Sequence, residues 1–205
     1  QRMSRGLGDV YKRQVLDGQN ANASFSIEVL DLAGNKGSPV TATDDNTQVV
    51  LDTTTPTLRG ITLVSTNAND SQAFAKPGDN ITLSFNSSEP IQIPSITLAD
   101  NDSLTVHDTS SNQDGTSWKA VYTVTAGEAE RDTTFSIDFK DIAGNKGVSK
   151  DHTVIDNTIQ IDTKTPTLTM VNLSSSNTDD TFAKKDDLVT LSFISSENLQ
   201  KAIVS

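Results

Sequence analysis

The stretch Phe25-Ser26-Ile27-Glu28-Val29-Leu30-Asp31-Leu32-Ala33-Gly34-Asn35-Lys36-Gly37 returns 110 residues later as Phe135-Ser136-Ile137-Asp138-Phe139-Lys140-Asp141-Ile142-Ala143-Gly144-Asn145-Lys146-Gly147. Phe135, Ile137 and Phe139 alternate with polar residues, and the run then enters Asp-x-Ala-Gly-Asn. A period of two marks a strand with one buried face. Gly supplies positive φ, and Asp bonds its own backbone, so a tight turn should follow. Working outward, Asp52-Thr53-Thr54-Thr55-Pro56-Thr57-Leu58 and Asp162-Thr163-Lys164-Thr165-Pro166-Thr167-Leu168 are also 110 apart. Phe74-Ala75-Lys76 with Phe182-Ala183-Lys184, and Ser88-Glu89 with Ser196-Glu197, are 108 apart. Repetition at domain-sized intervals is the signature of a tandem array. The expected organisation is the C-terminal part of one copy over 15–58, a complete copy over 59–168, and the N-terminal part of a third over 169–205.

The 205 residues are 34% hydrophobic and only 5% aromatic, which suits small β-sandwiches better than a large enzyme core. A net charge of −11 and a pI near 4.4 exclude a basic nucleic-acid surface and make cations the natural counterpart. There is no cysteine, hence neither a disulfide framework nor a thiolate metal site. No apolar run is long enough to be read as a membrane-spanning helix. Gln1 to Gln14 differ from the rest: Arg2, Arg5, Lys12 and Arg13 stand against Asp9 alone, a net +3, so the remainder carries −14. The string Met3 to Gln14 resembles a translated sequencing adaptor and is expected to be a non-native leader outside the fold.

Within the complete copy, period-two alternation places seven strands: A over 61–64, B over 80–85, C over 95–98, D over 103–106, E over 118–125, F over 134–140 and G over 158–162. Between them lie segments rich in Gly, Pro, Asn, Asp and Ser. The expected fold is all-β: tandem immunoglobulin-like antiparallel β-sandwiches, one complete and two partial. Trp118 lies on an alternating strand and reads as core rather than as a sugar platform. His107 and His152 have no partner signal, and no Ser/His/Asp order, phosphate loop or HExxH string appears, so no enzymatic activity is expected.

Gly78-Asp79-Asn80-Ile81-Thr82-Leu83-Ser84-Phe85, Ser88-Glu89-Pro90, Asp141-Ile142-Ala143-Gly144-Asn145 and Ile161-Asp162-Thr163-Lys164-Thr165-Pro166 resemble the bacterial Ig-like domain repeats of large surface and biofilm adhesins. The resemblance covers residues 15–205. It implies an extracellular array on the bacterial cell surface, in which neighbouring repeats of the same chain are the partners. It also implies Ca²⁺ near the domain junctions, with adhesive specificity residing in other modules.

Strand direction leads to the same cation. In a seven-strand sandwich the start of A, the B–C loop and the F–G loop share one end. That end collects Asp52 from the linker, Glu89 from the B–C loop, and Asp141 and Asn145 from the F–G loop. Converging carboxylates repel one another unless a cation sits between them, and Ca²⁺ takes roughly six to eight hard oxygen ligands. Zn²⁺ is disfavoured without cysteine and with only His107 and His152. Asp162 and Glu197 begin the same constellation at the next junction; Asp31 and Asn35 are its F–G counterpart in the preceding copy. The competing reading is that Asp-x-Ala-Gly-Asn only forms a turn and Thr-Pro only a stiff linker. For function, the expectation is a calcium-stiffened stalk. The alternatives are a glycan- or protein-binding module and an accessory spacer of a secreted enzyme.

Overall fold

The computed structural model of the chain describes residues 10–68, 73–101, 104–151 and 158–205. Among these residues there is no helix. The strands are β1 (Ala21–Asn22), β2 (Val50–Leu51), β3 (Leu58–Ser65), β4 (Phe74–Ala75), β5 (Asn80–Ser87), β6 (Ser95–Leu98), β7 (Val106–Asp108), β8 (Ser117–Thr123), β9 (Arg131–Asp132), β10 (Phe135–Asp138), β11 (Gln160–Ile161), β12 (Leu168–Ser175) and β13 (Val189–Ser195). The chain is all-β, with several antiparallel sheets consistent with a β-sandwich.

In the middle copy a four-stranded sheet has the order β3-β5-β8-β7, every neighbour antiparallel. Opposite it, β6 pairs with β10, and β11 lies between β9 and β4. The alternation dictates the packing. Ile81, Leu83 and Phe85 of β5 are buried while Thr82 and Ser84 between them are partly exposed. Ile61 and Leu63 of β3, Trp118 and Ala120 of β8, Ile96 and Leu98 of β6, Phe135 and Ile137 of β10 and Ile161 of β11 join them in one apolar cluster. Burying such side chains is worth roughly 1.5–3 kcal/mol each, the main favourable contribution to the fold. Trp118 is core, as expected, and its Nε1 donates to the Gly115 carbonyl at 3.0 Å.

Strands A, B, C and E lie where the alternation places them, to within three residues at an end. Strand D does not. It was expected over 103–106, but pairing begins at Val106 and runs to Asp108, because Val106, His107 and Asp108 register with Ala120, Lys119 and Trp118. Ser103 itself lies outside the described residues. Strand F, expected over 134–140, appears as β10 over Phe135–Asp138, and β9 before it was not foreseen; Thr133 and Thr134 lie between the two. There Thr133 N–H donates to Ile159 and Thr134 carbonyl accepts from Ala99, so the chain changes partner at that step. Strand G is short, Gln160–Ile161, and β4 was not foreseen; it pairs in parallel with β11. His152 and residues 1–9 of the leader lie outside the described residues.

The flanking segments repeat the middle copy in register. Leu173 pairs Leu191 and Ser174 pairs Thr190, as Leu63 pairs Leu83 and Val64 pairs Thr82. Val171, Leu173 and Leu191 occupy the positions of buried Ile61, Leu63 and Leu83, yet remain exposed in this chain because no second layer faces them. Phe25, Ile27 and Val29 are likewise exposed where Phe135, Ile137 and Phe139 are buried.

Candidate metal centre

Residues Asp52, Glu89 and Asp141 each bring a carboxylate oxygen to within 4.8 Å of the other two. They come from three places: the linker between β2 and β3, the loop after β5, and the loop after β10. The Ile91–Asp141 bridge and the bond from Gln92 N–H to the Lys140 carbonyl (2.9 Å) hold the last two loops together.

Asp141 is buried and anchors its own loop. Its Oδ1 accepts from the Gly144 and Asn145 backbone N–H groups at 2.6 and 2.8 Å, and its Oδ2 from Asn145 Nδ2 at 2.8 Å. Gly144 has φ +101°, a conformation that L side chains rarely adopt. Asn145 Nδ2 also donates to the Asp52 carbonyl at 3.1 Å, so Asn145 reaches the site through its amide nitrogen and ties the loop to the linker. The loop is autonomous. Asp31 accepts from Ala33 N, Asn35 N and Asn35 Nδ2 at 2.9, 2.8 and 2.7 Å without a linker beside it. Those bonds, the Asn35 side chain foremost, hold the Asp31 carboxyl below its ordinary value.

The linker is packed rather than free. Pro56 is fully buried. Gly147 lies beneath it: a Cβ there would meet the Phe139 ring at 2.2 Å and the Pro56 carbonyl at 2.8 Å. Ser88 closes a reciprocal pair with Thr57, its Oγ accepting from Thr57 N at 3.0 Å and its N–H donating to the Thr57 carbonyl at 2.9 Å. On the other side Thr53 N donates to Asn20 Oδ1 at 2.8 Å, and Gly18 N to Thr53 Oγ1 at 3.0 Å. The linker is therefore bonded to the copy before it and to the copy after it.

Glu89 is the unsatisfied member. Its Oε1 is shielded from solvent and has no hydrogen-bond partner. Burial, then the charges of Asp52 and Asp141, raise its carboxyl above the ordinary value. Three hard oxygen donors, one of them lacking any donor to face, fit a hard cation such as Ca²⁺ or Mg²⁺ and not a soft one.

The structure thus gathers Asp52, Glu89, Asp141 and Asn145. Asp162 and Glu197 sit in the same local geometry at the second junction, but there no third acid joins them among the described residues. Sequence reasoning missed Ser88, Gln92, whose Nε2 donates to the Asp141 carbonyl at 3.0 Å, and the burial of Pro56. Ser88 had a signal, since Ser-Glu recurs as Ser196-Glu197; Gln92 had none.

No protein family, curated protein or solved structure matches this chain.

Proposed function

We propose that the chain is part of an extracellular tandem array of immunoglobulin-like sandwiches, a structural stalk of a bacterial surface adhesin whose junctions are stiffened by Ca²⁺. The observation that carries this reading is the convergence of Asp52, Glu89 and Asp141 from linker and two loops, with Glu89 Oε1 buried and unpartnered. The strand orders β3-β5-β8-β7 and β6-β10 with β9-β11-β4 support the immunoglobulin-like assignment, since they correspond to A-B-E-D facing C-F-G. The extracellular surface setting rests on the resemblance of the repeated motifs.

The proposed mechanism is mechanical. Without a cation the three carboxylates repel, and the linker is held only by the burial of Pro56 and its hydrogen bonds. A Ca²⁺ between them joins the linker to both loops of the following copy, and binding to the folded state alone stabilises it by mass action. A charge of −14 over residues 15–205 adds self-repulsion when the cation is removed. In Ca²⁺ the chain should melt several degrees higher than in chelator, and small-angle scattering should give a longer, narrower particle. Asp141→Ala should abolish both differences. Identical melting and scattering with and without chelator would refute the reading.

One observation favours a second reading as a binding module. An open groove of about 390 Å³ is lined by Ile91, Ile93, Asp108, Asp114, Trp118 and Ile142, and Ile93 and Ile142 are 78% and 68% exposed. Specific retention on a glycan array, lost on Ile93→Asp, would move the balance to it.

A further inference from the structure

An open groove of about 370 Å³ runs between the β12–β13 ribbon and the segment 201–204. Its lining includes Val171 of β12, Leu191 and Phe193 of β13, and Pro166, Leu168 and Leu199 beside them. The middle copy shows what fits such a groove. There the hairpin 135–150 occupies the corresponding space. Ile137 and Asp138 pair with Ile96 and Ser95, the counterparts of Val204 and Ile203. Asp141 bridges Ile91, the counterpart of Leu199. Gly147 is wedged between the Phe139 ring and the carbonyl of Pro56, the counterpart of Pro166. Phe135, Ile137 and Phe139 share one apolar cluster with Ile61, Leu83 and Phe85, the counterparts of Val171, Leu191 and Phe193. Pro56 is buried as a result, whereas Pro166 is exposed.

The same chain carries a second hairpin of this kind with its apolar side uncovered. Ile27 exchanges backbone bonds with Val40 as Ile137 does with Lys150, and Gly37 N donates to the Val29 carbonyl as Gly147 N does to that of Phe139. Phe25, Ile27 and Val29 are exposed. Beside this hairpin, β2 pairs only with β1, whereas its counterpart β11 is bonded on both edges, to β9 and to β4. Phe182 and Ala183, the counterparts of β4, belong to no strand. One end of the chain thus offers the hairpin and strand edge that the other end lacks.

We propose that the hairpin 25–40 of one copy of the chain seats in the groove of a second copy, and that β2 and residues 182–183 pair across the contact as β11 and β4 do. The contact places Asp31 and Asn35 of one copy beside Asp162 and Glu197 of the other, in the arrangement that Asp141 and Asn145 adopt with Asp52 and Glu89. Because the two surfaces differ, each addition leaves a hairpin and a groove free, and the chain associates head to tail. Ca²⁺ should strengthen the contact by relieving the repulsion of the three carboxylates, a part that rests on reading the junction acids as a cation site.

The test is sedimentation of the full chain, in Ca²⁺ and in chelator, as wild type, Ile27→Asp and Leu191→Asp. Both residues are exposed and lie outside the middle copy, so the main melting transition should not move. In Ca²⁺ the wild type should form species that lengthen with concentration, and each variant alone should be monomeric. An equimolar mixture of the two variants should stop at a dimer, because it joins one intact hairpin to one intact groove. A monomeric wild type, association that survives in either variant, or a mixture that stays monomeric would overturn the proposal. Association of equal strength in Ca²⁺ and in chelator, with the mixture still dimeric, would support the contact and overturn the cation reading of its acids.

Discussion

Glu89 is the residue on which the junction turns. Its folded carboxyl lies above the ordinary value of 4.5, through burial first and then through Asp52 and Asp141. A group raised on folding contributes stability that is present below its unfolded pKa and lost as pH rises through the folded one. In chelator, then, stability should increase as pH falls through the raised value towards the ordinary 4.5. Ca²⁺ favours the ionised carboxylate and should remove that slope. Glu89→Gln should flatten it in chelator and abolish the Ca²⁺ response, as urea titrations at several pH values would read. Asp138, lowered chiefly by its bond from Ser149 and also by Lys146, has the opposite sign: its contribution is present above the ordinary carboxylate range and fades as pH drops below about 4. A slope in chelator unchanged by Glu89→Gln would assign the pH dependence to other groups. Asp141 differs again. It is held by three donors from its own loop, so Asp141→Ala should cost fold stability even in chelator, about 2 kcal/mol for buried bonds to a carboxylate. A loss below 0.5 kcal/mol in chelator, by the same titrations, would show that these bonds contribute little.

Among the elements, the loop from Asp141 to Asn145 and its twin from Asp31 to Asn35 share the two bonds from the asparagine backbone N–H and side-chain amide to the aspartate, although only the first has a linker against it. The turn is thus a local property, and its geometry is in place before any cation arrives. Gly144→Ala tests this separately from packing. A Cβ there meets nothing within 4 Å, so the cost is backbone strain alone, about 1–2 kcal/mol by urea titration. An unaltered stability would mean that the loop relaxes readily. This element also shows what was legible in the sequence. Asp141 makes the expected turn with Oδ1 and also lies beside the carboxylates of Asp52 and Glu89. Strands with strict alternation, such as Ile81-Thr82-Leu83-Ser84-Phe85, declared themselves, because one buried face imposes a period of two. The β4 strand did not. Two residues, Phe74 and Ala75, carry no period, and only the parallel partner Gln160–Ile161 makes them a strand. Strand D moved because its register is fixed by Trp118 and Ala120 on β8, a relation that no local pattern records. The burial of Pro56 was hidden for the same reason: it depends on a loop some ninety residues away.

For the whole molecule, the linker bonds bear on length and bending. The first linker is bonded at Thr53 to the copy before it and at Asp52 and Thr57 to the copy after it, against which Pro56 packs. At the second, Thr163 Oγ1 donates to the Glu128 carbonyl at 2.7 Å and Lys164 reaches Glu130. The parallel pairing of β4 with β11 carries a different consequence. Its hydrogen bonds, Gln160 N to Ala73 O and Asp162 N to Ala75 O at 2.7 and 2.9 Å, join the first and last parts of the middle copy. Tension applied through the two linkers drags these parallel segments past each other lengthwise. The bonds must then give way together instead of unzipping in turn. Resistance to traction would therefore be concentrated in a patch of two residues per strand, far smaller than the core that sets thermal stability. A chain pulled through its two linkers would yield first at that patch.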